Sequence, residues 1–438
     1  MALTDLIHAL SELEDAMDTC NRCGMCQAVC PLFRETGREG DVARGKIALL
    51  NGLRQDLLHD PGRVMDRLDR CLLCNACGRT CSRKLDLSTI FLKARLILTD
   101  YQGLPFYKKL IFRTLLRHPV LFDRVAVLLS DLQRWIPEGW KKNGSVVLAR
   151  ILPLFKNRSV PKLAIRSFRH MAKKTGVNPA ALASPSRTVV FFTGCLIDKM
   201  LPEVGKACVQ VLNRVGISVR YIDQEVCCGI PALASGDRLG FESLVKHNLV
   251  QMSGMESDAI VTACATCTTT LHDLWPRMIE YGHPLDGPVR RVSGQVMDIL
   301  DYTLTRTPLT DLLSQSTSRE TICKTRILTY HEPCHLRQGD LGKRIRTMLG
   351  SLPGYRYVET RDPGRCCGMG GSFGLAHADL SRQIGEKKAR DIVDSGAEIV
   401  VTACPACMLQ LKDMLARIGP RVEVRHMMEV LADVLGSE

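Results

Sequence analysis

Residues 259–267 read AIVTACATC, and residues 399–407 read IVVTACPAC. The likeness extends to both sides of these stretches, where VCCGI in the first copy corresponds to RCCGM in the second. The cysteines of the two copies correspond at offsets of 139 or 140 positions: Cys195 with Cys334, Cys227 with Cys366, Cys228 with Cys367, Cys264 with Cys404, and Cys267 with Cys407. A register kept over this length indicates an internal duplication.

Each copy alternates short β-branched runs with helical patterns. In the first copy, TVVFFTGC (188–195), ISVRYID (217–223) and AIVTAC (259–264) predict buried strands. Residues 202–216 and the stretch around 241–252 predict helices between them. Strands separated by helices predict α/β domains with parallel βαβ units. The cysteines follow the strands closely, at the edge where open α/β sheets place their sites.

Eight more cysteines form two runs with one spacing, Cys-x2-Cys-x2-Cys-x3-Cys: Cys20, Cys23, Cys26 and Cys30, then Cys71, Cys74, Cys77 and Cys81. This is the spacing of bacterial two-cluster ferredoxins, in which the first three cysteines of a run bind one [4Fe–4S] cubane and the fourth binds the other. The pattern therefore predicts two cubanes, one held by Cys20, Cys23, Cys26 and Cys81, the other by Cys71, Cys74, Cys77 and Cys30.

Zinc is the competing interpretation of these runs, because paired Cys-x2-Cys motifs also form tetrahedral zinc sites. Two four-cysteine runs with the ferredoxin spacing favour iron–sulfur clusters. One departure is that Ser82 follows the last cysteine, where the ferredoxin run has a proline such as Pro31. Proline is not a ligand, so the departure leaves the prediction in place.

The duplicated region has five cysteines in each copy, one more than a simple cubane needs. Adjacent cysteines do not easily ligate the same iron, so the Cys-Cys pair suits bridging or two different irons. Two alternatives stay open: buried thiols used as small hydrophobic residues, and disulfide redox chemistry at Cys227 and Cys228. Similar spacing in both copies favours cofactor binding, with all ten cysteines as candidates.

At these motifs the chain resembles the iron–sulfur proteins that carry two "CCG" domains behind a two-cluster ferredoxin domain. The pattern here is C-x31-CCG-x34-C-x2-C in the first copy, with DVARGKIALLNGL after the first cysteine run and HEPCHL opening the second copy. The family includes iron–sulfur subunits of glycolate oxidase, lactate-utilisation dehydrogenases and anaerobic glycerol-3-phosphate dehydrogenase, and the catalytic subunit of membrane heterodisulfide reductase. The resemblance covers nearly the whole chain.

The resemblance implies an α/β protein with a helical two-[4Fe–4S] domain (residues 1–100), a basic helical segment (101–185) and two CCG domains (186–305 and 320–438). It implies an electron-transfer subunit of a flavin-linked lactate or glycolate dehydrogenase, which takes electrons from a separate flavin subunit and passes them towards quinone or another carrier. A membrane quinone-reactive or cytochrome subunit is a further expected partner.

The alternative is a heterodisulfide-reductase-like catalyst. In that branch both five-cysteine sets are kept and imply noncubane [4Fe–4S] clusters where a disulfide is cleaved, and this chain keeps all ten cysteines. The resemblance thus implies one or two further clusters, cubane or noncubane, with Cys366, Cys367, Cys227 and Cys228 as candidate catalytic residues. The sequences of the N-terminal motifs favour the hydroxy-acid dehydrogenase type.

The net charge of +13 is concentrated in one segment. Residues 101–183 hold sixteen Lys or Arg and three acidic residues, and include Trp135 and Trp140 among Leu-rich helical patterns. This composition is typical of an interfacial helix on an anionic membrane surface, and acidic partners would use the same charges. The alternative is a positively charged surface that contacts only solvent. No nucleic-acid-binding motif accompanies the charge.

No apolar run reaches the length of a membrane span, and the N-terminus, MALTDLIHALSELEDAMDTC, lacks a signal-peptide pattern. We therefore expect a cytoplasmic protein, peripherally associated with the inner membrane, with reduced cysteines.

Cys208 and Cys323 have no counterpart in the other copy and are predicted core thiols. His331 and His335 flank Cys334 and are candidates for tuning a cluster, with structural histidines as the alternative. No dinucleotide fingerprint is present, so flavin or NAD is expected on another subunit.

Overall fold

The computed structural model describes residues 3–135, 164, 166–175, 187–316, 325–337, 339–419 and 422–436. Cys323, Trp140 and the Pro/Ser stretch at 184–186 lie outside the described residues. Helices alternate with the strands of two parallel four-stranded sheets, which confirms the predicted α/β fold class.

The N-terminal part is helical. Its helices are Leu3–Ser11, Glu14–Asp18, Met25–Val29, Pro31–Thr36, Ala43–Arg54, Pro61–Asp69, Ala76–Thr80 and Leu87–Gln102, with a 3-10 turn at Glu39–Asp41. Several begin at residues that cap free backbone N–H groups: the side chains of Asp60 and Asp86 accept from the N–H groups of Arg63 and Thr89. The core packs around one face of the long last helix.

The basic segment continues as helices. They are Phe106–Leu110, a π-helical turn at Ile111–Leu115, Pro119–Trp135 and Phe168–Thr175. In the described part of the chain, no helix has the length and apolar content needed to cross a bilayer.

The duplicated region forms two sheets of the same topology. The first sheet has the strand order β2-β1-β3-β4, from β1 (Arg187–Phe191), β2 (Ile217–Tyr221), β3 (Ala259–Thr262) and β4 (Val296–Asp298). The second has the order β6-β5-β7-β8, from β5 (Arg326–Tyr330), β6 (Tyr355–Tyr357), β7 (Ile399–Thr402) and β8 (Glu423–His426). All pairings are parallel, and the central strands β3 and β7 are wholly buried, as their apolar sequences require.

Helices connect the strands. Those of the first domain are Cys195–Met200, Pro202–Arg214, Ile230–Ala234, Arg238–Met252, Ala265–Thr269, a π turn at Thr270–Leu274, Trp275–Met278, Asp286–Ser293, Ile299–Arg306 and Leu309–Ser316. Those of the second are a 3-10 turn at Cys334–Leu336, Leu341–Gly350, Ser372–Ala376, Ala378–Asp394, Pro405–Ile418 and Met427–Leu435. One apolar core runs through both domains, with helix Pro202–Arg214 packed on Met427–Leu435.

The two domains meet where β3 and β7 end. The N–H of Ala265 donates to the carbonyl of Ala403 at 3.2 Å. The reciprocal bond, from residue 405 to the carbonyl of Ala263, cannot form because Pro405 has no N–H. His426 supplies the donor instead: its Nε2 lies 3.0 Å from the Ala263 oxygen.

The surroundings of His426 define its protonation. Its Nδ1 accepts from the N–H of Met428 at 3.2 Å, so the proton of the neutral ring lies on Nε2. Burial lowers the pKa of His426 to about 4. A neutral Nε2–H tautomer is therefore part of the domain interface.

Replacing His426 by leucine is expected to destabilise the protein by about 1–3 kcal/mol, because the buried carbonyl of Ala263 loses its donor. Adding Pro405→Ala supplies an N–H at the reciprocal position and is expected to recover part of the loss. Anaerobic denaturant unfolding of the holoprotein measures both. Equal stability of the single and double variants would show that the reciprocal bond does not form.

Candidate iron–sulfur centres

The two N-terminal cysteine runs have the same backbone shape. In each run, the residues before and after the second cysteine have positive φ: Arg22 (53°) and Gly24 (86°) in the first, Leu73 (54°) and Asn75 (52°) in the second. Positive φ is uncommon for residues other than glycine. Here it makes the same turn in both runs, and a short helix follows in each.

The fourth cysteine of the first run lies among the thiols of the second run. Desolvation raises the pKa of the Cys77 thiol, and the neighbouring thiols of Cys71, Cys74 and Cys30 raise it further. Desolvation likewise raises the pKa of Cys30, which also faces Cys71. The structure therefore brings Cys30, Cys71, Cys74 and Cys77 together.

The reciprocal neighbourhood is at the end of the second run. The hydroxyl of Ser82, next to Cys81, lies 3.8 Å from the Sγ atom of Cys23. Cys20 lies near Cys26, whose pKa is raised first by desolvation. Ser82, the departure from the ferredoxin pattern, thus provides a hydroxyl to the sulfur of Cys23, which is the exposed cysteine among those described.

The second run adjoins the second CCG domain. Cys74, Cys334 and Cys366 line one cavity of about 250 Å³, whose wall also includes Arg79 and Arg337. Leu32 and Leu72 pack with these cysteines in a small apolar cluster. Desolvation raises the pKa of Cys74 to about 12, and the charge of Cys334 contributes to the rise. Thiols of the two domains therefore approach each other here.

The ten CCG cysteines form one continuous chain of thiol contacts. In order they are Cys195, Cys227, Cys228, Cys267, Cys264, Cys404, Cys407, Cys367, Cys366 and Cys334, and each thiol adjoins the next. The Sγ atoms of Cys228 and Cys267 are 3.7 Å apart, and those of Cys367 and Cys407 are 3.5 Å apart. The contact between Cys264 and Cys404 joins the two domains.

Three thiols in this chain have a lowered pKa because their neighbours donate hydrogen bonds to them. Hydrogen bonds from Cys227 and Cys267 keep the pKa of Cys228 well below its usual range, and those from Cys264 and Cys407 do the same for Cys404. The bonds from Cys366 and Cys407 lower the pKa of Cys367 to about 5. Each of the three has two thiol neighbours.

The residues present fit iron–sulfur clusters. The thiolate is the form of cysteine that binds metal, and the nineteen described cysteines are free of disulfides. Thiols pair at 3.5–3.7 Å in both CCG domains. Core packing of single thiols would not bring five of them together in each domain. By contrast, Cys208 lies alone in the apolar core, as a core thiol would.

Sequence reasoning missed two cations at these centres, the buried Lys46 and the exposed Arg79. Lys46 is 1% exposed, donates to the carbonyl of Asp41 and lies near Cys30 and Cys71. Burial lowers its pKa, while the two cysteines oppose that shift. A lysine on the buried side of helix Ala43–Arg54 is the sequence signal that was available, because lysine is rarely buried without a partner.

Arg79 joins two domains through backbone oxygens. Its Nη1 donates to the carbonyl of Cys74 at 3.2 Å and to that of Cys334 at 3.3 Å. One guanidinium therefore positions a cysteine of the second run against a cysteine of the second CCG domain.

His335 connects three parts of the chain. Its Nε2 lies 3.2 Å from the carbonyl of Leu73, and its Nδ1 lies 3.3 Å from the hydroxyl of Thr266. That hydroxyl is also 3.7 Å from the Sγ atom of Cys404. His335 therefore contacts the second cysteine run through Leu73 and the first CCG domain through Thr266.

The glycines after Cys367 make tight turns. Gly368, Gly370 and Gly371 have φ of 85°, 52° and 57°. A Cβ atom on Gly368 would lie 2.5 Å from the carbonyl of Ser381. These glycines therefore form backbone turns beside the cysteine pair.

Comparisons with known families agree with this arrangement. The cysteine-rich domain (CCG) family matches residues 189–272 and 328–412, and the 4Fe-4S dicluster domain family matches residues 16–85. Together these matches cover more than half of the chain. They show that the chain carries several 4Fe-4S clusters.

Individual relatives are iron–sulfur or reductase subunits. A subunit of the fumarate reductase (CoM/CoB) of Methanothermobacter marburgensis is 34% identical over 285 residues, 64% of this chain and 53% of that protein. The match thus spans about half the length of that relative. "Probable glycolate oxidase iron-sulfur subunit" of Bacillus subtilis is 26% identical over 446 residues, 98% of this chain and 97% of that protein.

A third relative belongs to the other branch. A subunit of the dihydromethanophenazine:CoB–CoM heterodisulfide reductase of Methanosarcina acetivorans is 24% identical over 446 residues, 96% of this chain and 94% of that protein. The dicluster domain, the paired cysteine-rich domains and these relatives agree. The chain belongs to the family of iron–sulfur proteins that join a 4Fe-4S dicluster domain to two cysteine-rich CCG domains.

Proposed function

We propose that the chain is the electron-transfer subunit of a flavin-linked 2-hydroxy-acid (lactate or glycolate) dehydrogenase complex. Electrons pass from a flavin subunit through this chain towards quinone or another carrier. The observation that carries the proposal is a series of neighbouring thiols. Cys20 lies near Cys26, Cys26 lies near Cys77 of the second run, and Cys74 meets Cys334 and Cys366 at the cavity.

We assign the ligands as the spacing predicts. Cys20, Cys23, Cys26 and Cys81 hold one cubane, and Cys71, Cys74, Cys77 and Cys30 hold the other. The ten CCG cysteines hold the further clusters. When bound, such clusters accept and release single electrons. The protein side chains determine where the clusters lie, how far they are from solvent and which charges surround them.

Three features of the chain suit electron transfer. Cys23 is exposed, so an external carrier can approach the first run. The cysteines of the second run are half-buried, and eight of the ten CCG cysteines are buried. The buried Lys46 places a positive charge beside Cys30 and Cys71 and stabilises a reduced, more negative cluster there.

The test uses the anaerobic holoprotein with its flavin subunit. Alone, the chain is expected to oxidise neither lactate nor glycolate. With the flavin subunit and substrate, its iron–sulfur EPR signals are expected to change to those of the reduced clusters. Signals that stay unchanged with both hydroxy acids, although dithionite reduces the clusters, would reject the proposal.

A second candidate function is supported by a specific observation: all ten CCG cysteines are present, and the two sets meet at Cys264 and Cys404. In this alternative the chain reduces a disulfide, RSSR + 2e⁻ + 2H⁺ → 2RSH, with electrons delivered through the dicluster domain. Cys366, Cys367, Cys227 and Cys228 are the candidate catalytic residues. Disulfide reduction by the chemically reduced holoprotein, lost in Cys367→Ser, would support this alternative.

We further propose that the basic segment contacts the cytoplasmic face of an anionic membrane. Phe106, Leu110 and Leu128 are exposed, by 80%, 53% and 69%, next to Lys109 and Arg124. Exposed apolar side chains among basic ones are typical of interfacial helices. Each base near the surface adds about 1 kcal/mol on anionic lipid. A quinone-reactive or cytochrome subunit in the membrane is then a reachable partner.

Replacing Phe106 and Leu110 together by serine is expected to reduce co-sedimentation of the holoprotein with anionic phosphatidylserine vesicles. Binding to neutral phosphatidylcholine vesicles is expected to be weak for every variant. Tyr281→Ser, which removes a 91% exposed side chain elsewhere, is the matched control and should bind like the wild type. Equal binding of the double variant and this control would contradict the membrane contact.

A further inference from the structure

His331 and Phe192 occupy the same position in the two CCG domains. Each follows the first strand of its sheet, and each donates its backbone N–H to the central strand: Phe192 to Val261 and His331 to Val401, both at 2.9 Å. Both are fully buried. The duplicated fold therefore holds two side chains of equal placement and different chemistry, one an apolar ring and the other an imidazole.

Among the described residues, the imidazole of His331 has no hydrogen-bond partner. Both its ring nitrogens are buried and unpaired among the described residues. A buried polar group without a partner costs about 1–3 kcal/mol, so an unpaired imidazole in a closed core indicates a group that the protein chain itself does not provide.

The surroundings of His331 show what that group is. A ring nitrogen of His331 and the Sγ atoms of Cys367 and Cys407 all lie within 4.8 Å of one another, and the two sulfurs are 3.5 Å apart. In the first domain, Phe192 packs in an apolar cluster with the corresponding cysteines, Cys228 and Cys267. The first cysteine set therefore has no imidazole at this position.

Charged side chains adjoin both cysteine sets. Arg337 faces Cys334, Cys366 and Cys74, and these neighbours together with Glu332 raise its pKa against the opposing effect of burial. In the first domain, the loop before Cys195 is held by a carboxylate: Glu225 accepts from the N–H groups of Thr193 and Gly194 at 2.8 and 2.7 Å.

We propose that His331 donates a hydrogen bond to sulfur of the cluster held by the second CCG set, and so makes the two CCG centres unequal. The inference rests on the ligand assignment in the proposed function. A hydrogen bond to a cluster sulfur stabilises the reduced form, which has the extra negative charge, and raises the reduction potential. Electrons that enter the CCG region therefore collect at the second centre, next to the cavity lined by Cys74, Cys334 and Cys366.

The experiment is a mediated redox titration of the anaerobic holoprotein alone, monitored by EPR. His331→Phe, which introduces the residue of the first domain, is expected to lower the midpoint potential of one CCG centre. His331→Gln keeps an N–H donor and is expected to lower it less. The reciprocal variant Phe192→His is expected to raise the midpoint potential of the other centre.

A second readout identifies the nitrogen. With ¹⁵N-labelled histidine, the reduced centre is expected to show a weak nitrogen hyperfine coupling that disappears in His331→Phe. Retention of the coupling in that variant would overturn the proposal, and so would a strong coupling of the size given by an iron-bound imidazole. Unchanged midpoint potentials in both His331→Phe and Phe192→His, at full iron content, would also overturn it.

The titration distinguishes this inference from the proposed function. Mediators reduce the clusters without a flavin subunit, so failure of lactate or glycolate to reduce them leaves the midpoint potentials measurable. If His331→Phe does not retain its iron, Phe192→His tests the same hydrogen bond in the other domain, where the wild-type residue is apolar.

Discussion

Replacing Cys30 by alanine is expected to remove the [4Fe–4S] cluster of the second cysteine run and to leave that of the first run in place. Cys30 belongs to the first run in sequence, but its thiol lies among those of Cys71 and Cys77. Cys81 belongs to the second run in sequence, but its neighbour Ser82 contacts Cys23 of the first run. The EPR spectrum of reduced Cys30→Ala should therefore match that of Cys74→Ala, and Cys81→Ala should match Cys20→Ala.

The two fourth-cysteine variants are controls for each other. Each removes one thiol from the same position of its run, so a general effect of losing a cysteine is common to both. Reduction of the CCG centres by the partner is expected to fail in Cys30→Ala, because the cluster beside Cys334 and Cys366 is then absent. Matching spectra of Cys30→Ala and Cys20→Ala would show that each run binds its own cluster and would refute the crossed assignment.

Gly236→Ala is expected to destabilise the protein by about 2–5 kcal/mol and to loosen the contact between the dicluster domain and the first CCG domain. Gly236 has φ of +80°, and a Cβ atom there would lie 2.0 Å from the Thr99 hydroxyl and 2.7 Å from the Arg95 carbonyl. The carbonyl belongs to helix Leu87–Gln102 and cannot move without shifting that helix. Arg95 itself donates to the carbonyl of Ala234 at 2.7 Å, so the same contact is disturbed twice.

Gly254→Ala is the matched control for Gly236→Ala. Gly254 has nearly the same φ, +77°, but a Cβ atom would have no neighbour within 4 Å. Its alanine variant is expected to be destabilised only by the strain of positive φ, about 1–2 kcal/mol. Anaerobic denaturant unfolding of both holoproteins measures the difference. Equal losses would show that the close approach at Gly236 relaxes without cost.

Much of the fold was predictable because local patterns determine it. The β-branched runs at 188–191 and 259–262 became β1 and β3, and the amphipathic stretch at 202–216 became the helix Pro202–Arg214. A helix with one buried face repeats its apolar residues with the helical period, whereas a strand buried on both faces is a short continuous apolar run. The predicted parallel sheets follow from helices between the strands.

The site was predictable only in part. Spacing identified the eighteen cysteines, because a short loop can present thiols to one cluster only at certain separations. Spacing contained no information on Lys46 and Arg79, because their positions beside the cysteines depend on how helices pack. It also did not distinguish His331 as an unpaired imidazole from an ordinary core histidine.

The sequence by itself determined the α/β class, the duplication and the cysteine groups, since each depends on residues near one another in the chain. Only the tertiary structure decided that Cys264 meets Cys404, that Cys74 meets Cys334 and Cys366, and that His331 lies against Cys367 and Cys407. These contacts join separate domains or loops. Their formation depends on the burial of apolar surface between whole domains, which has no local signature in the sequence.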